Sequence, residues 1–460
     1  MAFKGEISAE FLDNVKTGFT VGDIYRIIDA GKLGGVDIPF GAFVEWRGEW
    51  IVRPDIQLAT NADIQSLEEH MFARETIAAS TLRFSFGDLT YDPTTDTTVA
   101  SRHNTADRAG GGTPAGYGGT WTKLETSPYS NIWDYTYTGN TLLNEFDNGS
   151  GRPEIGTRFW NDVVNNPIKI IASNTAGCTN FKRAFQGVNA ITEIWQLDTS
   201  DATNVQIMCS SMTNLRKIPD LIDFSLIATG ANGAAAFQYC WSLETVNELR
   251  LPDDNTLNLD VQNMFIACLS LKRINAPINL KACTSAKTFI AGCRNLEYVV
   301  LENTSRIKNV EFLFEVCEKL PATTIAAFDT SAVTKFNNMV QGYASGSAAN
   351  SGGNMMHLYA SPNTPDILAY DYTSATTIAM MYNNNTNLKH LTASRLATLK
   401  TGCDIHRLFD NAVNVESGIL DTYTVLAGRA PSNHANVFHN CGTNTESGRA
   451  ELALIPDDWK

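Results

Sequence analysis

Nine cysteines, seven histidines and a few adjacent acid pairs are the side chains in this 460-residue sequence with an obvious capacity for chemistry. Five of the thiols, Cys240, Cys268, Cys293, Cys317 and Cys441, fall at one point of a recurring F-x-x-C-x-x-L pattern. Two readings compete for them: metal or disulfide sites, or a ladder of small buried thiols. The spacing favours the ladder. Neighbours are a whole repeat apart, no C-x-x-C pair occurs and the total is odd, while Cys packs well as a small core hydrophobe.

The histidines are His70, His103, His357, His390, His406, His434 and His439. His434 and His439 are five apart, not the four that aligns two ligands on one helix face. With Cys441 nearby they are still the one candidate metal group, set against a polar loop as the default. The acid pairs Glu68-Glu69, Asp253-Asp254 and Asp457-Asp458 are adjacent, so nothing requires both members to face one cleft. Glycosidase carboxylates come from distant parts of a fold, and that activity stays open as an alternative. The glycine-rich stretch Gly110 to Gly119 lacks the Gly-Lys-Ser/Thr of a phosphate loop and is read as a surface loop. No nucleophile elbow, H-E-x-x-H or kinase signature appears. The sequence therefore points to a non-enzyme, with no catalytic, cofactor-binding or metal-binding residue, and it does not identify which residues bind a ligand.

The elements that carry these residues repeat. Phe237-Cys240-Leu243-Val246, Phe265-Cys268-Leu271-Ile274 and Ile290-Cys293-Leu296-Val299 are the clearest copies, followed by Phe314-Cys317-Leu320. Weaker copies start at Phe185, Cys209, Tyr382, Phe409 and Phe438. First positions from Phe185 to Phe314 are 24, 28, 28, 25 and 24 residues apart, within the period of leucine-rich repeats. One such unit cannot bury its apolar side alone, whereas stacked units share a continuous core. The F-x-x-C-x-x-L spacing suits a short helical or 3₁₀ turn with one buried stripe. The L-x-x-I that follows suits a short strand paired with the next unit. Leu197-Asp198-Thr199-Ser200 and Phe328-Asp329-Thr330-Ser331 supply corner residues that bond to nearby backbone.

Composition narrows the partners. Hydrophobic residues make up 43%, enough for a substantial core. Charged residues make up only 18% and the net charge is −14, which argues against nucleic acid and anionic membrane surfaces. The opening MAFKGEISAEF has no apolar core of signal-peptide length, and no stretch reaches the ~18 apolar residues of a spanning helix. The expectation is a chain that leaves a cell, if it does, by a route such as assembly into a virus particle.

Taken in order, residues 1–58 read as a small β-rich module, with a short helix from Ser8 and β-prone runs at Asp23 to Ile28, Val36 to Phe40, Ala42 to Trp46 and Glu49 to Val52. Its expected core is Phe40, Phe43, Trp46 and Trp50, with turns at Gly34-Gly35 and Arg47-Gly48. Residues 59–80 read as a helical linker or short coiled-coil stalk, capped by Thr60 and Asp63, with Ile64, Leu67, Met71 and Ala78 on a seam interrupted by Arg74. Residues 81–166 read as an N-terminal cap of the solenoid, and 167–460 as the solenoid, with an insertion near 341–354 and Trp459 placed to seal the last turn.

The motifs FDTSAVTKF at Phe328 and F-x-x-C-x-x-L resemble the BspA-like leucine-rich repeat family. YDPTT at Tyr91, GTWTK at Gly119, NIWDYT at Asn131 and IKIIASNTAGCTNF at Ile168 resemble members of that family from bacteriophages of gut bacteria. Val21 to Trp46 is similar to a short β module near the N-terminus of phage fibre proteins, although Gly41-Ala42 stands where a second Gly-Asp is usual. The fold class expected is thus an α/β repeat solenoid of the leucine-rich kind, preceded by the β-rich module and short helix. What the resemblance implies is a structural virion protein, a head or tail fibre or appendage on the surface of the phage particle. Its N-terminal module would anchor it to capsid or tail proteins, and the repeats would adhere to host surface proteins or glycans. A homo-oligomer, with a trimer favoured, goes with that reading. The alternatives are an appendage depolymerase of glycosidase type and, with less support, a bacterial surface adhesin.

Overall fold

A computed structural model describes residues 2–7, 23–27, 31–33, 36–38, 43–46, 50–52, 61–94, 120–124, 130–136, 167–342 and 364–460. The chain divides into two compact units: Met1–Thr136 with Asn166–Asn174, and Tyr137–Asn165 with Thr175–Lys460. The expected helix at Ser8, the turns at 34–35 and 47–48, the side chains proposed as the core of the first module, the glycine-rich loop and the insertion beyond Gly342 lie outside the described residues.

In the first unit, β1 (Ala2–Ile7), β2 (Asp23–Ile27), β5 (Phe43–Trp46) and β6 (Trp50–Val52) form a sheet in that order. β1 runs parallel to β2, and the other neighbours are antiparallel. Between them β3 (Gly31–Leu33) and β4 (Val36–Ile38) make a hairpin. Helix α1 spans Asn61–Phe72. β10 (Ile168–Asn174), β7 (Thr81–Phe86), β9 (Ile132–Thr136) and β8 (Thr120–Lys123) lie side by side in that order, all antiparallel.

All six residues of β7 are buried, and the period of two divides them chemically. Phe84 and Phe86 pack tilted against Trp121 at centroid distances of 5.3 and 6.2 Å. Arg83 and Ser85 serve polar partners. Arg83 donates to both carboxylate oxygens of Asp134 and to the carbonyl of Phe72, capping the end of α1. Ser85 donates to Glu69. The helix therefore stops at Phe72, short of the 79 expected from its pattern. Of the predicted seam, Ala78 lies beyond the helix and exposed. α1 instead buries Glu68 and Glu69 against the sheet, where Glu69 meets Ser85 and Lys169 and Glu68 accepts from Ser130.

The second unit is a repeat solenoid, a β-solenoid with few helices. One run of parallel bridges joins Ser285 to Asn309, Lys335, Thr377, Asp404 and Asn433, and upstream Asn180 pairs with Asn204. A second run joins Thr245 to Arg273 and Tyr298, and, further on, Asp366 to His390 and Ser417. The short strands Thr245–Val246 and Arg273–Ile274 match the expected L-x-x-I pairing. The solenoid starts about eight residues later than the sequence suggested, because Ile168–Asn174 pairs antiparallel with Thr81–Phe86 and belongs to the first unit.

The F-x-x-C turn keeps only the i→i+3 bonds of the helical or 3₁₀ turn its spacing suggests. Around Phe237, the N–H groups of Ala235, Phe237 and Tyr239 donate to carbonyls of the next coil, while those of Gln238 and Cys240 close i→i+3 turns. Every second amide thus leaves the turn and joins the stack. The geometry requires a left-handed residue two places before and two after the central residue: Ala235 and Tyr239, Asn263 and Ala267, Arg407 and Asn411, Asn436 and Asn440. Asn tolerates that region, and Gly292 fills it where its neighbour Ala267 packs closely. Bulkier Ile207 and Val316 also adopt it, their N–H groups donating to the carbonyls of Ala234 and Gln341 in the next coil.

Candidate ligand-binding surface

The side chains singled out for chemistry turn inward or pair locally. All nine cysteines are buried and unbridged. Cys240, Cys268, Cys293 and Cys317 donate S–H to the carbonyls of Cys209, Phe237, Phe265 and Ile290, at 3.1 to 3.2 Å, each one coil upstream. Burial pushes the Cys240 thiol up to about 12. These are inert structural thiols. Where the repeat departs from Cys, Asn385 does the same work: its amide donates to the carbonyl of Val340 and to Thr364 Oγ1.

The His434, His439 and Cys441 group does not converge. His439 Nδ1 lies 2.7 Å from Asp410, His434 pairs with Asp458 and stacks on Trp459, and Cys441 is in the core. Among the described residues no three His, Cys, Asp or Glu side chains are arranged to hold a metal. His390 bonds Ser417, His406 bonds Asp404 and His70 bonds the carbonyl of Ser66, whereas His103 and His357 lie outside the described residues. The acid pairs separate as well. Hydrogen bonds from Lys281 and Asn279 hold Asp253 below the usual carboxylate range, and the Thr256 backbone and hydroxyl do so for Asp254. Asp457 pairs with Lys460.

What remains outward is a stripe of rings and cations: Lys217, Arg273 and Tyr298 at the two unspecified positions of L-x-x-I, with Trp195 one place after that segment and Trp241 two places before it. The buried Leu271 and Ile274 hold Lys272 and Arg273 out to solvent, and Leu296 and Val299 do the same for Glu297 and Tyr298. Arg273 lies over the ring of Tyr298, 5.2 Å from its centroid, one coil along. Lys217 lies 5.0 Å over Trp195 in the same way, and its neighbour Arg216 pairs with Glu193. Trp241 is 47% exposed and Tyr298 is 38% exposed, unusual for large rings on a surface. Beyond Tyr298 the ladder is interrupted by the helix Ala322–Ala326. An apolar cleft of about 240 Å³ opens between that helix and Val299 to Leu301. The sequence reading passed over all five stripe residues. Lys217, Arg273 and Tyr298 were within reach, since each lies eight places after the first residue of its repeat. The ring contacts themselves join residues in different coils and have no sequence signal.

Residues 284–423 are similar to the family described as Mycoplasma protein of unknown function, DUF285. The matched segment runs from the coil of Cys293 through the Phe328 motif to the helix Ile419–Ala427. No curated protein and no solved structure matches the chain.

Proposed function

We propose that the chain is a non-enzymatic structural protein of a bacteriophage particle, a head or tail fibre or appendage. Residues 1–58 attach it to the particle, and the solenoid, a leucine-rich repeat of the BspA-like kind, projects and adheres to host surface or mucosal glycans. The observation that carries the adhesive part is the outward stripe of rings and cations from Trp195 to Tyr298 on a rigid stack of coils. Inward-turned thiols and separated acid pairs fit a protein that binds without turnover. The particle assignment draws its support from the sequence resemblances at Val21 to Trp46, Tyr91, Gly119 and Ile168.

Gold-labelled antibody against the full chain, applied to intact particles of a phage encoding it, tests this reading. Label on the capsid or the tail is the expected result and distinguishes the two attachments. Particles without label would overturn the virion assignment. Release of oligosaccharide from host glycans by the purified chain would overturn the non-enzymatic part and favour a depolymerase.

A further inference from the structure

Two cations of the stripe stand apart from the acidic chain around them. The protein carries a net −14. Most exposed cations near the stripe are already matched: Arg216 to Glu193 and Lys272 to Glu244. Among the described residues, Lys217 and Arg273 have no carboxylate within ion-pair distance, and each instead lies over a ring. A cation resting on an aromatic face keeps its outer side free to meet an anion. Trp241, between them along the chain, has neither an aromatic nor a cation partner among the described residues, so its face is open.

We propose that this stripe binds an acidic oligosaccharide, a chain whose sugars carry carboxylates. This rests on the adhesive reading above and gives it a ligand class. Lys217 and Arg273 meet the carboxylates, with Arg273 able to take one bidentately. Trp241, with its open face, receives the apolar face of a sugar ring. Lys217 and Arg273 belong to coils two apart, ~10 Å at the spacing of neighbouring strands, a separation that an extended, repeating ligand spans. A neutral glycan would use the rings but leave both cations unmatched.

The test measures binding of the full chain to oligogalacturonate and to hyaluronan oligosaccharides. The same two chains with their carboxyl groups reduced to alcohols are the comparison. Expected are binding of at least one acidic chain, at least tenfold weaker binding of its reduced form, and weakening as salt is raised. The double variant Lys217→Gln/Arg273→Gln, checked for an unchanged circular dichroism melt, is expected to lose at least tenfold. Arg250→Gln is expected to retain affinity, because that cation is already held by Glu248 outside the stripe. Failure of both acidic chains to bind, equal binding of the reduced forms, or full binding by the double variant would each overturn the proposal. Adhesion of the double variant to host cells at the level of the unaltered chain would sink this site and leave the adhesive reading standing. Absence of adhesion by the unaltered chain would sink the adhesive reading itself.

Discussion

At the scale of single residues, the repeat is defined by which group reaches the carbonyl of the coil before. In four coils a thiol does so, and in the coil of Tyr382 the amide of Asn385 replaces it. A thiol makes a weak hydrogen bond, so Cys contributes mainly as a small apolar filler. Asn385 is different. It is fully buried, bonds Val340 and Thr364, and its Oδ1 accepts from the backbone N–H of Asn387 and Leu388. Asn385→Ala would strand several buried polar groups and is expected to cost about 2–4 kcal/mol in chemical denaturation. Asn385→Cys restores the bond to Val340 and is expected to cost measurably less. Equal loss in both variants would show that the bond to Val340 contributes nothing. The corner motif has an equally local logic. Asp329 caps the N–H of Ser331, and the hydroxyl of Thr304 one coil upstream receives the N–H of Asp329. The buried Thr of such corners was legible as turn chemistry, but its partner in the neighbouring coil was not.

At the scale of elements, the helix Asn61–Phe72 is held to its sheet by charge. Lys169 Nζ lies 2.5 Å from Glu69, whose side chain is fully buried. Glu69→Gln leaves the partly exposed lysine without its counter-charge, and a loss of about 2 kcal/mol is expected, smaller than for a fully buried pair. The measurement is a thermal melt, with Lys169→Met in the same background expected to recover part of the loss. The C-terminal element works through rings. Tyr382, Phe409 and Phe438 stack at 5.6 Å intervals, and Trp459 continues the row at 6.4 Å. Its carbonyl also receives the N–H of Phe438, the bond another coil would otherwise supply. In a stack stabilised by nearest neighbours, losing this cover loosens the adjoining coils first. Trp459→Ala is expected to cost about 3 kcal/mol. Hydrogen exchange should rise in residues 404–441 and stay unchanged in 237–320, and uniform acceleration would contradict a nearest-neighbour stack. The sealing role of Trp459 was readable from an apolar residue after a polar run. The two glutamates that bind α1 to its sheet were not, because an amphipathic pattern reports apolar faces only.

At the scale of the whole molecule, all nine thiols lie in the second unit, and ionisation of those that burial holds protonated opposes its folding. Burial raises Cys240, Cys283 and Cys403 from an ordinary 9.0 to about 12. Burial also holds Tyr370 and Tyr372 well above their usual value. A raised pKa means that the unfolded chain releases its protons first. The stabilisation is therefore complete below pH ~9 and is lost as pH climbs toward ~12. Denaturation midpoints should stay level below that window and fall within it, with thiol reagents labelling the protein only after unfolding. Labelling of folded protein at neutral pH would contradict the buried ladder. The repeat, its period, the inward set of Phe, Cys, Leu and Ile, and the short strands can be read from residue order, since each depends on residues close in the chain and on the burial every coil must achieve. Tertiary structure decided the rest. It made the expected helical or 3₁₀ turn one whose alternate amides bond the next coil, moved residues 168–174 into the first unit, and brought Lys217 onto Trp195 and Arg273 onto Tyr298. Each of these depends on which residue of one coil lies beside which residue of another, and the varying coil lengths that set this register act only once the chain has stacked.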